Sequence, residues 1–155
     1  HDWMRPLRGD WTARLEDVVL AQSDASGAPV LLAAHSLGCI LTAWWAAHTR
    51  HADRVAGALL VAPPDIERDD LRQQIPGWAP PVRQRLPFPA ILIASSDDPF
   101  GSLESASRLA SDWGAEFHAI GPRGHINADS GLGDWDEGRA LLMTLAANKP
   151  MGKPR

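Results

Sequence analysis

The sequence has one cysteine, no tyrosine and no concentration of positive charge, and each scarcity removes a class of function. With Cys39 alone, no disulfide can close within the chain and no cysteine-based zinc site can be assembled. That usage fits a reducing, cytoplasmic setting. Lysine and arginine together number 15 against 19 acidic residues, giving a net charge of −4. The basic residues are interspersed with the acids, so no surface tracks a phosphate backbone and nucleic acid is not an expected partner. No apolar run approaches the roughly 18 residues of a membrane span, and the first residues lack the basic-then-apolar pattern of a signal segment. No glycine-rich phosphate loop follows a strand, which argues against a nucleotide-binding domain.

What is present suffices for one core. The chain has 155 residues, 45% of them apolar, enough for one ordinary domain and too few for two. A single domain is expected over residues 1–149, with a frayed tail over 150–155. The seven tryptophans are expected in the core and against helices, where aromatics dominate buried area. Asp10 is placed to cap a helix from Trp11 to about Gln22, with Trp11, Leu15, Val18 and Val19 on one face, and Ser23 to Pro29 reads as a turn. Apolar runs at Val30–Ala34, Val55–Val61 and Pro89–Ala94 read as strands covered on both faces, and Ala115–Ile120 as an outer strand. Helices are expected from Leu37 to about Thr49, from Ser102 to Trp113 and from Asp136 to Ala147. The stretch Asp65–Pro89 is polar and proline-rich, with Leu71, Ile75, Trp78 and Val82 as anchors. Long excursions of this kind often border a binding site. The alternation as a whole predicts an α/β fold with a mostly parallel sheet and helices on both faces.

Ligand sites in such sheets lie beyond the C-terminal strand ends. Three of these ends carry reactive side chains: Ser36 after the first strand, Asp97 and Asp98 after the third, and His125 after the fourth. Ser36 stands between a strand and a helical pattern, framed by Ala34 and Gly38. That is the form of a nucleophile elbow, in which positions two before and two after the serine must be small because the backbones crowd. Ala34 replaces the commoner glycine. The helix that follows points its N-terminus at the serine, so the backbone N–H of Leu37 can face an oxyanion.

Serine chemistry needs an imidazole to take the hydroxyl proton and a carboxylate to fix that imidazole's tautomer. Ser36, an aspartate and His125 occur in the chain order of α/β-hydrolases. Asp98 is favoured over Asp97 because Pro99 holds it in an extended or turn geometry; Asp97 is the alternative, or a helix cap ahead of Ser102. His35 reads as a packing or hydrogen-bonding residue rather than a base. His48 and His51 flank a helix end, where a cation suits the dipole, without cysteine or carboxylate support for a metal. His118 is expected on the exposed side of the outer strand, and Cys39 as a small buried hydrophobe. No cofactor or metal is expected.

Four segments together resemble a known group: Ala34-His35-Ser36-Leu37-Gly38; Val61-Ala62-Pro63-Pro64-Asp65; Ser95-Ser96-Asp97-Asp98-Pro99-Phe100; and Gly124-His125-Ile126-Asn127-Ala128 followed by Ser130-Gly131-Leu132-Gly133-Asp134-Trp135. They are similar to the small serine hydrolases of the retinoblastoma-binding protein 9 family, over nearly the whole chain. The resemblance implies a Rossmann-like α/β-hydrolase without a large cap domain, a Ser36, Asp98, His125 triad with the acid on the second aspartate, and turnover of esters or peptide-like compounds. Members of that family begin with an apolar strand and a Pro-Gly loop that supplies the second oxyanion N–H. This chain begins with His1 and lacks that unit, so it is expected to start part-way through a longer protein. One oxyanion donor is worth about 2.7–4 kcal/mol of transition-state stabilisation, and a lost strand leaves an edge that can pair wrongly or with a partner subunit. The leading expectation is therefore a serine hydrolase acting on small esters or amides, with pocket residues around Trp78 and Trp135. The alternative is an interaction module of the same fold, with a protein partner and little catalysis.

Overall fold

The centre of the molecule is built by the chain's most continuously apolar runs. In the computed structural model, which describes residues 4–147, the elements are α1 (Arg8–Ser26), β1 (Val30–His35), α2 (Leu37–His48), β2 (Val55–Val61), α3 (Asp69–Gln74), β3 (Ala90–Ala94), α4 (Leu103–Trp113), β4 (Glu116–Ala119) and α5 (Asp136–Ala147). The tail expected over 150–155 lies outside the described residues. The four strands form one parallel sheet in the order β1-β2-β3-β4. β2 and β3 occupy its middle, as their lack of polar positions requires.

Side chains alternate across the sheet with period two. Ala58, Leu60, Ala90, Leu92 and Ala94 face a large cluster with Val19 of α1, Ile40 and Trp45 of α2, and Leu109 and Trp113 of α4. Leu59, Val61, Ile91 and Ile93 face the other way, onto Leu145 of α5 and Ile126. Helix α5 packs close: a Cβ on Gly57 would lie 3.1 Å from both Leu145 Cβ and the Pro89 carbonyl. Leu60 is fully buried at the sheet centre. Leu60→Ala should cost about 2–5 kcal/mol, read in urea denaturation as a lower midpoint at unchanged slope.

Four local expectations are corrected. Helix α1 starts at Arg8, with Leu7 at the N-cap and no side-chain cap; Asp10 lies inside the first turn, where its charge still favours the helix dipole. The helix also runs on through Ser23, which is buried and accepts a hydrogen bond from Arg54, and stops at Gly27 in the left-handed conformation. Ser102 is the N-cap of α4 rather than its first residue, its Oγ accepting from the Ser105 N–H. Trp78 belongs to the core and not to a pocket: it is 1% exposed, donates Nε1–H to the Pro6 carbonyl at 2.9 Å and meets Trp11 edge-on.

The register places the functional ends together. His35 pairs with Val61, Val61 with Ile93, and Ala94 with Ala119, so the strands stop level. The chain exits are then tied in series, by Ser36 N–H to the Val61 carbonyl, Ala62 N–H to Ile93, and Ile120 N–H to Ala94, at 2.8, 2.8 and 3.0 Å.

Candidate active site

At the end of β1 the backbone turns sharply. Ser36 has φ 56° and ψ −122°, a conformation that side chains rarely adopt, and α2 begins at the next residue. The small-residue frame is in contact: a Cβ on Gly38 would lie 3.6 Å from that of Ala34. Leu37, as the first residue of α2, carries one of the backbone N–H groups that have no acceptor within the helix, and it adjoins the serine.

The structure brings the three singled-out side chains into one hydrogen-bonded line. His125 Nε2 lies 2.8 Å from Ser36 Oγ, and His125 Nδ1 lies 2.9 and 3.0 Å from the two carboxylate oxygens of Asp98. A carboxylate can only accept, so Nδ1 carries the proton and Nε2 presents a lone pair to the serine hydroxyl. The side chains of His125 and Asp98 are 11% and 3% exposed, so their interaction is little screened by water. Asp98 also accepts the Phe100 N–H at 2.9 Å, which orients the carboxylate.

Asp97 does something else. Its Oδ1 accepts the Gly124 N–H at 2.7 Å and the Ser95 hydroxyl at 2.9 Å, while Ser95 Oγ accepts the Arg123 N–H at 2.8 Å. The Gly124 N–H, helped by Ser95, holds the Asp97 carboxyl below its ordinary value. The pair thus divides its work: Asp98 meets the imidazole, and Asp97 fastens the loop that carries it. Neither caps α4. Gly124 takes its φ of 60° freely, but the loop needs fastening, since Ile126, a β-branched residue, has φ 51°. Such strain costs on the order of 1–3 kcal/mol and persists only where surroundings over-determine it. The burial of Ile126 in the α5-side cluster supplies part of that constraint.

The remaining candidates fall elsewhere. His48 stacks on Trp44, with Nδ1 at 2.8 Å from that residue's carbonyl, and His51 pairs with Glu16. Burial alone would raise the Glu16 carboxyl, but hydrogen bonds from His51, Trp45 and Thr49 outweigh it and leave it below its ordinary value, pinning α1 to the end of α2. His118, half-buried on β4, pairs with Glu116. Cys39 is fully buried, which pushes its thiol far up and makes it a packing residue. Among the described residues no group of three His, Cys, Asp or Glu side chains could hold a metal ion, and no helix is long and apolar enough to cross a membrane. Two neighbours of His125 went unread as such in the sequence. Phe100 lies edge-on to the imidazole with ring centroids 4.7 Å apart, and Ser95 braces the loop. The only local signal for Phe100 is its position two residues beyond Asp98.

Residues 1–144 match the family model described as serine hydrolase. The chain belongs to that family. Its structure is similar to that of a YdeN-like hydrolase from Pectobacterium atrosepticum, at 26% identity and a TM-score of 0.73 over 97% of this chain and 75% of that one. The ydeN gene product of B. subtilis (19% identity, TM-score 0.71, 93% and 77% covered) and the non-heme bromoperoxidase BpoC of Mycobacterium tuberculosis (13%, 0.68, 94% and 76%) share the fold. No curated protein matches the chain. The parallel sheet with flanking helices is thus an α/β-hydrolase fold, and the protein is a hydrolase.

Hollows open around the end of the sheet that carries Ser36 and His125. A groove of about 510 Å³, lined chiefly by apolar side chains including Trp11, Leu15, Val18, Leu32 and Leu41, runs between α1, β1 and α2 and reaches Ser36. It follows the side of β1 that has no neighbouring strand among the described residues. A second hollow, of about 610 Å³, opens beside Phe100, Gly124 and His125. Trp135 walls a third with His35 and Ile126.

Proposed function

We propose that the chain hydrolyses small ester or amide substrates through an acyl-Ser36 intermediate. The observation that carries this reading is the continuous hydrogen-bonded line from Ser36 Oγ through both nitrogens of His125 to Asp98. In the first half-reaction Ser36 Oγ attacks the substrate carbonyl carbon while His125 Nε2 takes the hydroxyl proton. Asp98 stabilises the imidazolium so formed, and the Leu37 N–H, at the positive end of α2, faces the oxyanion. Collapse breaks the bond to the leaving alcohol or amine, which departs with the proton from His125. In the second half-reaction water gives a proton to His125 and its hydroxyl to the acyl carbon; the bond from that carbon to Ser36 Oγ then breaks, the acid leaves, and His125 returns its proton to Ser36 Oγ.

The apolar groove reaching Ser36 suits an aliphatic or aromatic acyl group. The four-segment resemblance to the retinoblastoma-binding protein 9 family supports the same class of small ester or peptide-like substrate. The test is intact-protein mass spectrometry after exposure to a fluorophosphonate, followed by peptide mapping. A single adduct on Ser36 is expected. A folded sample that takes none would overturn the acyl-serine reading and favour an interaction role, for which the side of β1 with no neighbouring strand among the described residues, together with the apolar groove, is the supporting observation.

A further inference from the structure

His35 stands next to the nucleophile at the end of β1, and its side chain does not enter the proton path described above. Its Nε2 lies 2.8 Å from the backbone carbonyl oxygen of His125, and the two imidazole rings are 4.8 Å apart at their centroids. A carbonyl oxygen only accepts, so His35 Nε2 is the donor and bears its proton there. Because His35 is covalently joined to Ser36, this bond closes a small ring. One side is the Ser36 Oγ contact to the His125 imidazole, and the other is the His35 contact to the His125 backbone.

We propose that His35 is a positioning residue that ties the base's backbone to the nucleophile's own strand and so sets the Ser36–His125 distance. The inference rests on the acyl-serine reading of the site. Its physical need is the strained loop: with the β-branched Ile126 at φ 51° directly after the base, the segment around His125 relaxes unless held on both sides. Asp97 holds the Gly124 N–H before the base, and His35 holds the carbonyl of the base itself. Asp98 fixes the ring's tautomer and tilt but does not fix how far the loop stands from β1. His35 supplies that second coordinate.

The tie requires one N–H donor at the reach of an imidazole Nε2, which a glutamine side chain offers and an alanine does not. The test compares the intact chain with its Ser36→Ala, His35→Ala and His35→Gln variants, measuring hydrolysis of p-nitrophenyl acetate and backbone amide exchange at residues 124–127. A displacement of about 1 Å at a reacting group can lower a rate roughly 100-fold. His35→Ala is therefore expected to lower kcat by about 10- to 100-fold, with KM moved far less, and to speed exchange at residues 124–127. His35→Gln is expected to restore both nearly to the parent. Unchanged kcat and exchange in His35→Ala, or a glutamine variant as impaired as the alanine one, would overturn the proposal. Ser36→Ala separates the two claims. If it kept ester turnover the acyl-serine reading would fail, and the exchange pattern would still decide whether His35 tethers the loop.

Discussion

Replacing Ser36 by alanine should lower kcat for a simple ester by about 10⁴- to 10⁶-fold, leaving the residual catalysis that binding and the oxyanion contact provide. The substitution removes one oxygen and little else. Alanine satisfies the same small-residue frame, in which Ala34 and the position of Gly38 are already in contact, and the Ser36 N–H bond to the Val61 carbonyl is a backbone contact that survives. The strained φ of 56° is retained at similar cost, because alanine is no better suited to that region than serine. Thermal stability should therefore stay within a few degrees of the parent while turnover collapses. Burst kinetics with p-nitrophenyl acetate would read the acylation step directly. A variant that kept its burst would mean that another group attacks the ester.

How much of this was legible beforehand differs element by element, and the differences have physical causes. The sequence encodes both ends of β2, because a run of seven apolar residues closed by Ala62-Pro63-Pro64 has no other stable home in a protein of this size. The start of α1 carries no local signal, because no side chain caps it. Its first turns are held by packing, with Trp11 against Trp78, and Trp78 in turn bonded to Pro6 across 72 residues of sequence. No local pattern encodes such a contact. The same long-range pairing drew Trp78 out of the pocket foreseen for it and into the core.

The site divides in the same way. Ser36 was legible because an elbow is a local device, made by a strand, small flanking residues and a helix in immediate succession. His35 reads as a hydrogen-bonding residue from its place in the elbow, but its partner does not, because that partner lies 90 residues away and is a backbone atom, invisible to any reading of side-chain types. The aspartate pair is the intermediate case. Adjacent residues in an extended turn direct their side chains apart, so composition offers both to the imidazole and only the fold sends one to it. Proline at position 99 favoured Asp98 for a local reason, and the loop at 121–127 supplies the rest by occupying Asp97 with the Gly124 N–H.

That division yields a sharp kinetic expectation for the two neighbours. Asp98→Asn should lower kcat by about 10⁴-fold, because an amide that turns its N–H₂ toward His125 Nδ1 makes that nitrogen an acceptor. The ring proton then moves to Nε2, where it confronts the Ser36 hydroxyl and leaves no lone pair to receive its proton. Asp97→Asn keeps a carbonyl oxygen where Oδ1 now accepts from Gly124 and Ser95, so its kcat should fall by no more than about tenfold. The pH dependence follows the sign of the Asp97 shift. A carboxyl held below its ordinary value contributes stability that is present at neutral pH and is lost only as pH falls through that depressed value. Over the neutral range the parent and Asp97→Asn should thus share one pH–rate profile, set by the Ser36–His125–Asp98 line. Parallel kcat–pH measurements on the two asparagine variants decide the assignment. If Asp97→Asn carried the 10⁴-fold loss and Asp98→Asn the small one, the acid would be Asp97, and the hydrogen bonds that His125 Nδ1 donates to the Asp98 carboxylate at 2.9 and 3.0 Å would be structural only.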